Sequence, residues 1–245
     1  MIIEVRINVV GTGTMGSITR GNQSILVDDV LFDVGSGTVK KLESTKIYTK
    51  VVKYLVITHV HADHFVDLPN YLIGRSIRKE DTETLKIICG KGIREKTIEL
   101  FQLTFGDGNK DKYKNFEEKY NVEFVELKNG QAYEDENLKI TAYDLQHGTC
   151  KPIMGYVLEK DGKIIGYATD TTLCDNVEKI CSVSDIAFLD ATNTISTGMH
   201  MGVGDVVELA KKYTNTKIYA IHRSDYVHSH IKEINFPEDG DVIEL

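Results

Sequence analysis

The sequence predicts an α/β (α+β) fold in which two β-sheets pack face to face with helices outside them. Two observations carry that expectation. Short apolar strands cluster in both halves of the chain, and segments of helical periodicity follow each cluster. The third observation concerns the join: with three prolines in 245 residues, no low-complexity segment and no internal repeat, nothing reads as a linker. Residues 1–245 are therefore expected to form a single domain.

The elements follow in order. "IIEVRINVV" reads as a strand that stops at Gly11-Thr12-Gly13, and "SILVDDVLFDVGSG" as two strands around Asp28-Asp29. A helix is expected in "TVKKLES", then the strand "YLVI" runs into "THVHADH". Helical spacing continues through "FVDLPNYLIGRSIRK", with Asp63 near its start. The strand "TLKIICG" and a helix from about Lys91 to Phe105 come next. The polar stretch "GDGNKDKYKNFEEKY" reads as a mobile surface insertion. Strands return in "NVEFVEL", "LKITAYDL", "MGYVLEK", "KIIGYAT", "IAFLDA" and "KIYAIH", with helices at "GDVVELAKKY" and "DYVHSHIKEI".

Composition excludes several classes. A hydrophobic fraction of 41% and a charged fraction of 27% are ordinary for a globular protein. A net charge of −8 disfavours a broad nucleic-acid surface, which rests on Lys and Arg neutralising phosphates. Cys89, Cys150, Cys174 and Cys181 form no C-x-x-C pair and are expected as reduced core thiols. No signal-peptide pattern opens the chain and no apolar run approaches ~18 residues, so no membrane span is expected, and the expected location is the cytoplasm. A homodimer is compatible with the sequence, which does not set the oligomeric state.

The chemistry concentrates in Ile57–His64, "ITHVHADH", where three imidazoles and a carboxylate fall within six residues. Alternate residues of an extended segment point the same way, so His59 and His61 can converge on one ion. Asp63 and His64 lie at the turn into a helix, aimed differently, and suit a second ion. A polar turn would account for one histidine but not for this spacing, and a closed structural zinc site would recruit cysteines. Further ligands should come from other strand ends: His147 in "YDLQHGT", Asp170 in "GYATDTT" and His222 in "YAIHRSD". Asp33 ends a strand beside glycines and is expected to support a ligand or a turn rather than bind metal. His228 and His230, two apart on an expected helix, should face solvent.

These residues resemble the metallo-β-lactamase-fold hydrolases, whose motif is H-x-H-x-D-H followed by a His, an Asp and a last His, and the resemblance spans essentially the whole chain. It implies a four-layer αββα sandwich. It also implies that His59, His61 and His147 bind one metal, that Asp63, His64 and His222 bind the other, and that Asp170 bridges them. Within that superfamily the chain is similar to the ribonuclease Z and phosphodiesterase branch. Gly11-Thr12-Gly13, Arg20, Ser24 and the Asp33–Thr38 turn match that branch. "HVHADHFVDLP" does so with Ala62 and Asp67 in place of glycines, and Asp190-Ala191-Thr192 and His200 follow it as well.

The implied function is a dinuclear metal-dependent hydrolase, a ribonuclease Z-like phosphodiesterase using a metal-bridging hydroxide on a nucleotide or RNA. Two divalent ions bring +4 against −3 from Asp63, Asp170 and hydroxide, leaving roughly +1 for an anionic phosphodiester substrate. Asp63 is expected to orient the attacking group, His200 to protonate the leaving oxygen and Asp190 to support His200, although Asp replaces the branch's longer Glu. Nitrogen-rich ligation suits zinc, with manganese or iron also accepted by the carboxylates. tRNA-processing members carry a long Gly/Pro-rich arm between the third histidine and the bridging Asp; here His147 and Asp170 are 23 positions apart. Thioester, lactone or β-lactam hydrolysis on the same metal pair is one alternative, and a non-catalytic metal-binding module is another.

Overall fold

Period-two alternation sorts the apolar side chains into three layers of core, and those layers define the architecture. The protein is described here by a computed structural model covering residues 4–45, 51–106, 113–227 and 231–245. The first half supplies β1 (Arg6–Gly11), β2 (Ser24–Val27), β3 (Val30–Phe32), β4 (Tyr54–Ile57), β5 (Leu85–Gly90) and β6 (Val122–Leu127). The second supplies β7 (Ala132–Glu134), β8 (Leu138–Asp144), β9 (Met154–Lys160), β10 (Lys163–Ala168), β11 (Ile186–Asp190), β12 (Lys217–Ile221) and β13 (Val242–Glu244). The helices are α1 (Thr38–Ser44), α2 (Ala62–Phe65), α3 (Leu68–Ile77), α4 (Ile93–Phe105), α5 (Phe116–Tyr120), α6 (Asp175–Val183) and α7 (Val203–Lys212).

Among the described residues the strands form two sheets, ordered β13-β1-β2-β3-β4-β5-β6 and β12-β11-β10-β9-β8-β7. Ile25, Val27, Val30, Phe32, Val56 and Ile88 of the first meet Ile140, Tyr156, Ile165, Tyr167, Phe188 and Ile221 of the second in a buried layer between the sheets. Their alternates Leu26, Leu31, Leu55 and Ile87 turn outward onto Leu42, Leu68, Leu72 and Phe101 of α1, α3 and α4. On the far side Val157, Ala187, Leu189 and Ala220 meet Val177, Ile180, Val206 and Leu209 of α6 and α7. The stacking is the expected αββα sandwich.

Strand direction places the chemistry at one edge. β3, β4, β5 and β6 run parallel, as do β10, β11 and β12, while β8 and β10 are both antiparallel to β9 and so share a direction. The C-terminal ends of β3, β4, β8, β10, β11 and β12 lead directly into Asp33, His59, His147, Asp170, Asp190 and His222. Loops at carboxyl ends of parallel strands are where α/β sheets gather ligands.

The departures from expectation have physical causes. The helix expected at "DYVHSHIKEI" is not formed in its described part: residues 225–227 and 231–234 run through turns, and Asn235 bonds the edge of β12 through Ala220 and Ile218. Its residues His228 and His230 lie outside the described residues. The polar stretch before Tyr120 is no surface insertion from Tyr113 onward. Tyr113, Phe116 and Tyr120 are buried, and the Phe116 and Tyr120 rings each lie 4.9 Å from that of Phe101. The helix after His64 divides into α2 and α3, and β7, α6 and β13 are additions. All four cysteines are free thiols; Cys89 and Cys181 are buried, whereas Cys150 and Cys174 are only partly so. No helix among the described residues is long and apolar enough to cross a membrane.

One glycine decides how closely β3 and the histidine loop approach. A Cβ on Gly35 would sit inside the Asp63 carbonyl group, a backbone atom that no rotamer change can move away. Gly35→Ala should therefore lower stability by about 1–3 kcal/mol, read as a fall in the urea midpoint at unchanged slope.

Candidate metal centre

The strand β4 ends at Ile57, and the chain enters the site with Thr58 and His59 buried. Asp33, at the end of β3, accepts hydrogen bonds from the Thr58 amide (2.9 Å) and hydroxyl (3.0 Å). Nδ1 of His59 lies 3.0 Å from the same Thr58 hydroxyl, and Nδ1 of His64 lies 2.8 Å from Asp33 Oδ2. Nδ1 of His147 donates to the Met199 carbonyl at 2.9 Å, and Nδ1 of His222 to the Thr192 hydroxyl at 2.9 Å. In all four imidazoles the protein holds Nδ1, which leaves Nε2 as the free donor atom.

Those free nitrogens converge on Asp170. Its Oδ1 lies 2.9 Å from His64 Nε2 and 3.1 Å from His222 Nε2, and its Oδ2 lies 3.7 Å from both His59 Nε2 and His147 Nε2. The His61 ring stands 4.5 Å from that of His59 and 5.1 Å from that of His147. Asp63 Oδ2 completes the other side, 3.3 Å from His222 Nε2 and 3.5 Å from His64 Nε2, and is held by the Met15 amide at 3.1 Å. Two sets of donor atoms result, each within 4.8 Å: His59, His61, His147 and Asp170, and Asp63, His64, Asp170 and His222.

The residues fit a pair of cations. His59 Nε2 and Asp63 Oδ1 are buried at the centre without a hydrogen-bond partner. A buried polar atom left unpaired costs about 1–3 kcal/mol, a cost that coordination removes. A third set, Asp190, His200 and His222, also falls within 4.8 Å, but its atoms are already satisfied. Asp190 Oδ2 accepts from the Thr171 amide (2.9 Å) and His200 Nδ1 (2.9 Å), and Oδ1 from the Thr192 amide (2.9 Å) and hydroxyl (2.7 Å). This set is a hydrogen-bonded array beside the centre. In it the half-buried His200 ring stacks on His222 at 5.4 Å and approaches His147 at 4.6 Å.

The seven expected ligands, with His200 and Asp190, thus meet in one place. Sequence reasoning missed Thr192, whose single hydroxyl donates to Asp190 while accepting from His222. Nothing local distinguishes it from a capping threonine. Also missed was the Met15 amide on Asp63, which depends on a turn 48 positions away in the chain.

The superfamily can now be decided by comparison. The family model described as "Beta-lactamase superfamily domain" matches residues 29–223. The chain belongs to this superfamily. It is 30% identical over 129 residues to the ribonuclease Z of Staphylococcus carnosus (strain TM300), a match over 53% of this chain and only 38% of that protein. Among solved structures, a diphosphatase from the PhnP family superposes with a TM-score of 0.77 at 23% identity, over 100% of this chain and 98% of that one. The short form of human tRNase Z gives 0.74 at 21%, over 97% and 98%. At such identities the structural likenesses establish the shared superfamily fold.

Electrostatics in the metal-free centre pair protons with carboxylates. Burial works against a charged His222, but Asp170 and the hydrogen bonds of Asp190 and Asp63 overcome it and hold the imidazole up at about 10. His64 is likewise raised despite burial, by Asp170 and Asp33. Burial would raise Asp170, yet the charges of His222 and His64 hold it well below the usual carboxylate range, and Asp63 is lowered by hydrogen bonds with the same two histidines. The raised His222 contributes stability that is complete below the ordinary histidine value of ~6.5 and is lost as pH rises through about 10. The lowered carboxylates contribute stability that is present above ~3.9 and lost as pH falls through their depressed values. Burial lowers His59 and His61, whose contribution is present above ~6.5 and lost as pH falls, so chelator-treated protein should melt highest near pH 6.5. Zinc, which must displace the protons from His64 and His222, should raise the melting temperature little at about pH 5 and strongly at about pH 8. Thermal melts with and without chelator across that range check both signs.

Proposed function

We propose that this chain is a dinuclear metallohydrolase acting on phosphodiesters. The observation that supports it most directly is the pair of ligand sets sharing Asp170, each with inward Nε2 atoms and buried donors awaiting a partner. In this reading His59, His61 and His147 would hold one ion and Asp63, His64 and His222 the other, with Asp170 common to both sets. Five imidazoles against two carboxylates favour zinc. Superfamily membership agrees, as do relatives whose names record a ribonuclease and a diphosphatase. The chain covers only 38% of that ribonuclease, and its net charge is −8, so a small phosphodiester or nucleotide fits better than a structured RNA.

Divalent cations bound here supply Lewis-acid polarisation of the phosphoryl oxygens and lower the pKa of water toward ~7. The side chains do the rest. Asp63, fixed by the Met15 amide, orients the attacking water. His200 has Nδ1 committed to Asp190, which leaves Nε2 to carry a proton to the leaving oxygen. Asp190, fully buried and saturated with donors, fixes the His200 ring. Thr192 ties this pair to His222, so the proton donor and a metal ligand share one hydrogen-bonded frame.

Metal-reconstituted protein should turn over bis-aryl phosphodiesters or 2′,3′- and 3′,5′-cyclic nucleotides in preference to tRNA precursor, thioester or lactone; preferential thioester or lactone turnover would overturn the reading. His200→Ala should lower kcat by about 10²–10⁴-fold with metal content retained by elemental analysis. Thr192→Val should lower both metal content and kcat, and Thr192→Ser, which keeps the hydroxyl, should restore both.

A further inference from the structure

Five large apolar side chains stand exposed on segments that carry or brace residues of this centre, and the hydrolase reading does not account for them. Met15, whose amide holds Asp63, has an exposed side chain, as does Met199, which precedes His200 and gives its carbonyl to His147. Ile18 is 91% exposed and Tyr226 84% exposed. Ile195, on the same loop as Met199, projects as well. These five belong to three segments that carry or brace site residues.

The exposure is built, not slack. Asp225, next to Tyr226, accepts hydrogen bonds from the Ser17 hydroxyl (2.6 Å), the Ile18 amide (2.9 Å) and the Thr19 hydroxyl. Arg20 stands 3.7 Å from the same carboxylate. The carboxylate of Asp225 thus clamps the 14–19 loop against the segment that follows His222, and Ile18 and Tyr226 lie on the two segments so joined. Gly13 bridges Arg223 in the same direction, and the Thr14 amide donates to the Arg223 carbonyl at 3.3 Å.

Charge decides what this rim takes. The loop 14–19, "TMGSIT", and the loop 193–202, "NTISTGMHMG", contain no Lys, Arg, Asp or Glu, and on the third segment Arg223 is buried and Asp225 is engaged in the clamp. A groove for a long polynucleotide needs cations along the phosphates. This rim offers an aromatic face, two thioethers and branched aliphatics beside a centre that itself suits one phosphodiester. Aromatic and thioether surfaces take up the π-face of a base without base-specific hydrogen bonds.

We propose that the rim formed by Ile18, Tyr226, Met15 and Met199 is a nucleobase subsite, which makes the substrate a small phosphodiester bearing a nucleoside. The proposal rests on the hydrolase reading for the position of the phosphate, but its test does not require turnover. Calorimetric titration of metal-reconstituted protein with AMP and with ribose 5-phosphate should give AMP about tenfold tighter binding. Tyr226→Ala with Ile18→Ser should bring AMP down to the level of ribose 5-phosphate and leave the latter unchanged, while Tyr226→Phe retains the preference. With 2′,3′-cyclic AMP the double variant should raise KM about tenfold at constant kcat, with no change for a cyclic glycerol phosphate. Equal binding of the two probes by the parent protein overturns the subsite even where phosphodiesters are hydrolysed. So does an unchanged AMP affinity in the double variant accompanied by conversion of a dimer to a monomer, which would make the rim an interface between copies. An AMP preference lost on substitution, with every phosphodiester inert, sustains the subsite and sinks the hydrolase reading alone.

Discussion

One carboxylate out of contact with solvent, Asp33, joins the parts on which the site depends. It closes β3, and it accepts from the amide and hydroxyl of Thr58 at the end of β4 and pairs with His64 at the start of α2. Across the sandwich it receives the Tyr167 hydroxyl of β10 at 3.3 Å. Both sheets and the histidine loop are therefore referenced to a single charged group. A buried carboxylate is tolerable only when its oxygens are satisfied; here the donors that satisfy it also orient His59, through Thr58, and His64. Removing it would leave a buried imidazole and a buried hydroxyl without their partner, so the site and the fold share one point of failure.

The same logic extends around the centre. His59, His64, His147 and His222 each take an Nδ1 partner from the protein: Thr58, Asp33, the Met199 carbonyl and Thr192. None of these partners is itself a ligand candidate. The cage is held from outside, and its inward atoms are left to the ions or, without them, to protons shared with Asp63 and Asp170. The lowered Asp63 and Asp170 beside the raised His64 and His222 are the electrostatic trace of that arrangement.

How much of this could be read from sequence depended on the range of the interaction. "YLVI" is β4 and "TVKKLES" is α1, because burial on both faces and a local 3.6-residue period leave signatures within a few residues. The clustering of the candidate residues was legible because ligand types are rare and His59, His147, Asp170 and His222 closely follow strand ends. What failed was set at a distance. "DYVHSHIKEI" carries Val227, Ile231 and Ile234 at helical spacing, yet Asn235 bonds β12, and the pairing outweighs the periodicity. β7 and β13 are three-residue strands with no pattern of their own, fixed by Ile140 and Ile7 opposite them. α6 was readable: Val177, Ile180 and Cys181 are its buried face. Thr192 was not, since its role lies in partners eight and thirty positions away, and His222 reaches it only because β11 and β12 pair in parallel.

Backbone conformation points to the same division of labour. Asp33, Asp170 and His222 all have positive φ, at 59°, 52° and 52°, where side chains other than glycine are uncommon. Each is the first or second residue after a parallel strand, where the chain must turn at once to aim a side chain across the edge of the sheet rather than along it. Such conformations cost of order 1 kcal/mol each and persist where the surroundings over-determine them. Here they do: the Asp33 amide bonds Val56, the His222 amide bonds Gln23, and the Asp170 carboxylate takes the hydroxyl of Thr169. Local strain is thus distributed over three strand ends and opposed by hydrogen bonds that exist without any ion. The candidate ligands Asp170 and His222 are consequently positioned by the sandwich itself, so that a bound cation would not have to assemble them.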